Sequence, residues 1–196
     1  MTVFKPTEIF QRLRAGHTLV TGNSRLARVL SGQYSAWRMR QGDQQWVSPP
    51  IFPWNAWIDR LWERATLEGM VDSARAVPNQ QQLTNLWEQV LAGSGHAGNL
   101  LRPQALAVQM RDTRRTAVEW NVDLAHPAWH GEPGDNHEAF RLWNIGFETL
   151  CEEKSWLPPE DRMALFTRAC ERSGMRAECS IDLLGFDELN PAQSAL

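Results

Sequence analysis

The stretches HTLVTGNSRLARVL (residues 17–30) and IDLLGFDELNPAQ (residues 181–193) decide the fold. In each, a short apolar run stops at a small or acidic residue and passes into a helical pattern, the strand-to-helix junction of an α/β sheet. Thr18 to Val20 reads as the first strand. Asn23 or Ser24 can cap the helix that follows, in which Leu26, Val29, Leu30, Tyr34 and Trp37 keep helical spacing. Ile181 to Phe186 reads as a second strand that ends at the acid pair Asp187 and Glu188. Asp187 or Asn190 can then cap a helix opening at Pro191, a residue suited to the first helical turn. Ligands of parallel sheets collect at the carboxyl ends of strands, so the two junctions form one candidate site.

That site has lost most of what a phosphate loop needs. The pattern G-x-x-x-x-G-K-S/T works because its second glycine lets backbone N–H groups close on the phosphates. The lysine reaches their far oxygens and the hydroxyl binds the metal. Aligned on Gly22, the pattern meets Ala27, Arg28 and Val29. Ala27 carries a Cβ where the backbone must approach phosphate, Arg28 keeps only a charge, and Val29 has no oxygen for magnesium. Asp187 and Glu188 retain the acids that would hold magnesium and orient water, but acids without a phosphate cradle have nothing to act on. Gly22, Arg28, Asp187 and Glu188 are therefore the remnant of a nucleotide site, and no catalytic residue is expected.

The rest of the chain frames these ends. PTEIFQRLRA (6–15) is a short amphipathic helix stopped at Gly16, and Trp46 and Val47 suggest a strand ahead of Pro49, Pro50 and Pro53. A helix from Trp54 to about residue 68 carries Trp54, Trp57, Ile58, Leu61 and Ala65 on one stripe. Residues 81–93, 103–120 and 137–154 repeat helical spacing without a convincing strand, separated in part by the Pro- and Gly-rich linker HPAWHGEPGDN (126–136). Residues 160–174 read as a helix returning to the sheet. The expected fold class is α/β, a parallel sheet with an inserted all-helical subdomain. Residues 1–69 and 158–196 form the α/β part and residues 70–157 the insertion.

Composition limits the function classes. With 42% hydrophobic and 22% charged residues over 196 positions, the chain can bury a real core, and no apolar run approaches a membrane span. No secretory signal pattern opens it, and Cys151, Cys170 and Cys179 lack metal or disulfide spacing, so a reduced cytoplasmic protein is expected. The net charge of −3 hides an asymmetry. Lys5, Arg12, Arg14, Arg25, Arg28, Arg38 and Arg40 face only Glu8 and Asp43 within the first fifty residues. A local basic face of this kind attracts polyanions even on an acidic protein. Thr21, Asn23, Ser24, Arg25 and Arg28, at a helix amino terminus, are the candidate contacts to DNA phosphates. An internal pairing of these arginines with Asp187 is the competing reading.

Most tryptophans have a plainer role. Trp54, Trp57, Trp62, Trp87, Trp120 and Trp143 lie among Leu, Ile and Val in amphipathic helices and read as core, while Trp46 and Trp129 read as loop anchors with more surface. His126, His130 and His137 imitate ligand spacing, but Pro127 and the nearby glycines put them in a loop, and no metal site is expected.

Three segments, LVTGNSRLARVLSGQYSAWR (19–38), WVSPPIFPWNAWIDRLWE (46–63) and LLGFDELNPAQSAL (183–196), together resemble the amino-terminal region of the AddB-like DNA repair proteins. The resemblance covers both ends of the chain, and the middle matches only in being helical and tryptophan-rich. It implies a P-loop, RecA-like helicase domain of the first helicase superfamily, inactivated and followed by a RecB-type nuclease domain that would lie beyond Leu196. It further implies DNA as partner, single-stranded or at a duplex end, together with that nuclease domain or a partner helicase subunit, and no membrane. The expected role is an ATPase-inactive, DNA-guiding scaffold without cofactor. Two alternatives stay open. An active ATPase with a divergent phosphate loop would bind ATP and magnesium, and a protein-binding scaffold would never touch DNA.

Overall fold

The computed structural model describes residues 6–71, 74–94, 102–127, 136–173 and 180–195. The chain is a mixed α/β protein, mostly helical, with one small parallel sheet. Its contacts gather into two compact units: Met1–Glu68 with Cys170–Glu188, and Gly69–Ala169 with Leu189–Leu196.

In the first unit the strands β1 (Thr18–Thr21), β2 (Ile51–Pro53) and β3 (Ile181–Leu184) are parallel and run in the order β2-β1-β3. β1 is the central strand. Leu19 and Val20 point to opposite faces of the pleat, and both are buried almost completely, as a central parallel strand requires. One face is built by helix α1 (Pro6–Arg14) and helix α2 (Ser24–Arg40), whose Ile9, Phe10, Leu13, Ala27, Leu30, Tyr34 and Trp37 cluster with Leu19 and Ile51. Helix α3 (Trp54–Leu67) begins directly after β2, contacts β1 and β2, and buries Trp57, Ile58 and Ala65.

β3 is held differently. Asp182 accepts from Arg12 at 2.8 Å and from His17 Nδ1 at 3.2 Å, tying the strand to the end of α1 and the start of β1. Its outer edge pairs with no strand among the described residues, and Leu183 is 42% exposed.

The structure corrects two local expectations in this unit. The second strand is Ile51–Pro53, and Val47 is 89% exposed. Leu19 donates to the Pro50 carbonyl, so the prolines, which lack donors, flank an edge strand where no donor is missed. Val29, expected in the core stripe of α2, is half exposed, because Ala27 and Leu30 set the buried face. Trp46 packs at the rim of the cluster beside Arg38, as a loop anchor.

The second unit is built on α4 (Gln80–Gly93), α5 (Pro103–Glu119) and α6 (Asn136–Glu153), a tight turn at Pro159–Asp161, α7 (Arg162–Ser173), within which the boundary between units falls, and the short α8 (Pro191–Ser194). Trp87 lies at its centre, stacked on Phe147 with ring centroids 4.5 Å apart and on Phe140 at 6.4 Å. Gly146 faces Val90 where α6 crosses α4 closely. Arg114 is 4% exposed and bonds Glu160 at 2.7 Å and Asp161 at 2.9 Å. Burial pulls the Arg114 pKa down, but the Asp161 and Glu160 carboxylates outweigh it and the net shift is upward. Burial also pushes the Cys151 thiol up to about 12, which keeps it protonated and inert. Trp120, expected in the core, caps α5 and is half exposed.

Candidate nucleic-acid interface

The two junctions meet where the sequence places them, at the carboxyl ends of adjacent strands. Gly22 donates its N–H to the Leu184 carbonyl at 3.1 Å, extending the β1–β3 ladder one residue past Thr21. Gly22 also abuts the Gly185 carbonyl so closely that a Cβ on Gly22 would overlap it. Gly185 itself has φ of 75°, and Leu26 of α2 packs over the place its Cβ would take. Beside them Phe186 meets Trp54 edge to face at 5.9 Å. Leu26, Trp54 and Phe186 therefore bring apolar side chains to the strand ends.

Local geometry explains why no phosphate loop forms. Only Gly22 and Asn23 separate β1 from α2, which starts at Ser24. Asn23 is extended and its side chain accepts from the Leu26 N–H at 2.9 Å, a normal amino-terminal cap. The helix thus begins before Ala27, Arg28 and Val29, so these lie within α2 and not in a loop. Ala27 faces the core at 6% exposure. A phosphate cradle needs a run of free backbone N–H groups curling around an anion, and here those groups are already helical or bonded to the cap.

The candidate DNA contacts divide. Thr21 is fully buried, and its hydroxyl donates to the Asn23 carbonyl at 2.9 Å, which removes it from any external phosphate and corrects its assignment. Asn23, Ser24, Arg25 and Arg28 are exposed. Arg25 and Arg28 form no ion pair among the described residues, and Asp187 and Glu188 are likewise exposed and unpaired. The internal pairing of these arginines with Asp187 is not made. The pairing the fold does make is Arg12 and His17 on Asp182, at the opposite ends of the strands. The helix cap near the chain end is supplied by Asn190, reciprocally with Gln193.

Arg40 belongs to the basic face read from the sequence but not to the candidate contacts drawn from it. It is exposed on α2 without an ion-pair partner among the described residues, whereas Arg38 is taken by Asp43 and Tyr34. α2 contains no acidic residue at all. In the second unit, a hollow of about 660 Å³ lined by Met110, Thr113, Val122, Leu124, His137 and Phe140 among others carries no arginine or lysine. Among the described residues no three His, Cys, Asp or Glu side chains cluster as metal ligands, and no helix is long and apolar enough to cross a membrane. Trp129, His130 and Cys179 lie outside the described residues.

No protein-family model matches the chain, and no curated protein matches its sequence.

Proposed function

We propose that this chain is an ATPase-inactive, helicase-like scaffold that guides DNA within a DNA repair or recombination nuclease protein. In this reading the parallel sheet and its three helices are a reduced RecA-like domain, the helical unit is its inserted subdomain, and DNA is held by backbone contacts. The observation that carries it is the strand-end junction. Gly22 and Gly185 close upon each other while Arg25 and Arg28, on the adjoining helix, have no ion-pair partner among the described residues. A motor that has lost its phosphate loop keeps the shape of its domain, and phosphate contacts from arginine and helix amino termini need nothing more. The resemblance to AddB-like proteins supports the assignment to repair and rests on the three quoted segments alone. The active-ATPase reading retains one observation in its favour, the exposed acid pair Asp187 and Glu188 at the end of β3.

Two titrations on the whole chain test the proposal. Fluorescence anisotropy with a labelled single-stranded oligonucleotide is expected to show binding that weakens steeply with salt, and calorimetry with ATP and magnesium is expected to show no binding heat. Tight ATP binding, or no DNA binding at low salt, contradicts it.

A further inference from the structure

We infer that the phosphate backbone runs along the outer face of α2, from Arg25 and Arg28 past Gly32 to Arg40, and does not enter the strand-end crevice. The inference rests on the DNA-guiding reading and specifies its path. At 100° per residue, Arg28, Gly32 and Arg40 fall within about 60° of Arg25 around the helix axis. The buried residues Ala27, Leu30, Tyr34 and Trp37 occupy the other side. The fifteen helical rises from Arg25 to Arg40 span about 22 Å, room for several phosphates of one strand.

Two further observations fix the path. Gly32 sits mid-helix and exposed, where glycine weakens a helix relative to alanine, yet a Cβ there would meet nothing within 4 Å. The fold does not require that glycine. A bare stretch of backbone flanked by arginines is where a sugar-phosphate chain can lie close against the helix. The crevice, by contrast, repels the same ligand: Asp187 and Glu188 are exposed at its mouth without an ion-pair partner among the described residues, and Gly22 and Gly185 leave no space between them.

Substitution at Gly32 separates this path from contact at the junction alone. Anisotropy at low salt with a fluorescein-labelled oligo-dT strand measures binding, and circular dichroism confirms that each variant is folded. Gly32→Glu places an anion mid-path and is expected to weaken binding about tenfold or more, while Gly32→Gln, which adds the same bulk without the charge, weakens it less. Arg40→Ala is expected to lower the salt slope by about 0.7, one single-strand phosphate contact. Neutralising the crevice acids with Asp187→Asn and Glu188→Gln leaves affinity within about twofold. If Gly32→Glu and Arg40→Ala bind normally while Arg25→Ala with Arg28→Ala does not, the path is wrong and the DNA-guiding reading survives. Failure of the wild type to bind the strand overturns both. Displacement of the strand by polyglutamate at comparable affinity assigns the face to an acidic polypeptide and overturns the inference.

Discussion

Gly22 and Gly185 approach so closely that neither position accepts a side chain: a Cβ on Gly22 would overlap the Gly185 carbonyl, and one on Gly185 would overlap Leu26. The two obstacles differ in kind. The carbonyl is backbone directly after β3, held by the Gly22–Leu184 bond that ends the β1–β3 ladder, whereas the Leu26 methyl group ends a flexible side chain. Gly22→Ala is therefore expected to destabilise the first unit by about 1–3 kcal/mol, the usual range for overpacking. Gly185→Ala, penalised chiefly by its φ of 75°, should cost about 1–2 kcal/mol. Denaturant melts compare them, and a Gly22→Ala variant as stable as the wild type would mean the junction is not closed.

Arg114 is expected to be the most sensitive polar position of the helical unit. Arg114→Ala leaves Glu160, whose side chain is 6% exposed, without its counter-charge, a change worth about 3–5 kcal/mol when a buried pair is broken from one side. Arg114→Met combined with Glu160→Met should recover most of that loss, because well-packed apolar residues replace buried ion pairs at little net cost. A double variant no more stable than Arg114→Ala would refute this assignment.

Glu160 also sets a pH dependence opposite to the common one. Burial raises its pKa, and Arg114 only partly opposes this. A carboxyl whose folded pKa lies above its unfolded value adds stability below the unfolded pKa and loses that contribution as pH rises through the folded value. As pH falls from neutral, the wild type should thus gain stability relative to Glu160→Gln. Paired urea melts across the acid range measure the difference, and a relative loss on acidification contradicts it.

Much of this architecture was legible because periodicity and junction chemistry agreed. The three-to-four spacing of residues 81–93, 103–120 and 137–154 yields α4, α5 and α6 nearly to the residue. The apolar runs 18–20 and 181–186 yield two adjacent parallel strands, although the second stops at Leu184, where Gly185 turns the chain with φ of 75°. β2 was misplaced because a three-residue edge strand flanked by prolines has too few positions to show alternation. Thr21 was misassigned because its polarity suggested solvent, whereas the central strand buries it. The burial of Arg114 was readable in principle, since Ala107, Met110, Arg114 and Ala117 follow core spacing, but its neighbours in RDTRR made it look like one solvated charge among several. Its partners Glu160 and Asp161 lie too far along the chain for any local pattern to pair them. Asp182 was hidden the same way, its partners Arg12 and His17 being brought to it only by the sheet.

ATP turnover is expected to be absent. α2 begins at Ser24, so the positions that would hold phosphate and metal are helical residues Ala27, Arg28 and Val29. A coupled phosphate-release assay should return the rate of a blank. Hydrolysis that disappears on Asp187→Ala would establish the active-motor alternative in its place.

The most direct measurement is the salt dependence of single-strand affinity for the wild type and for Arg25→Ala with Arg28→Ala, taken alongside their melting temperatures. Neither arginine has an ion-pair partner among the described residues, so their loss should leave the melting temperature unchanged. The slope of log affinity against log salt should fall by roughly 1 to 2, at about 0.7 per lost contact on a single strand. An unchanged slope together with a lowered melting temperature would show that the arginines serve the fold, and would contradict the DNA-guiding role.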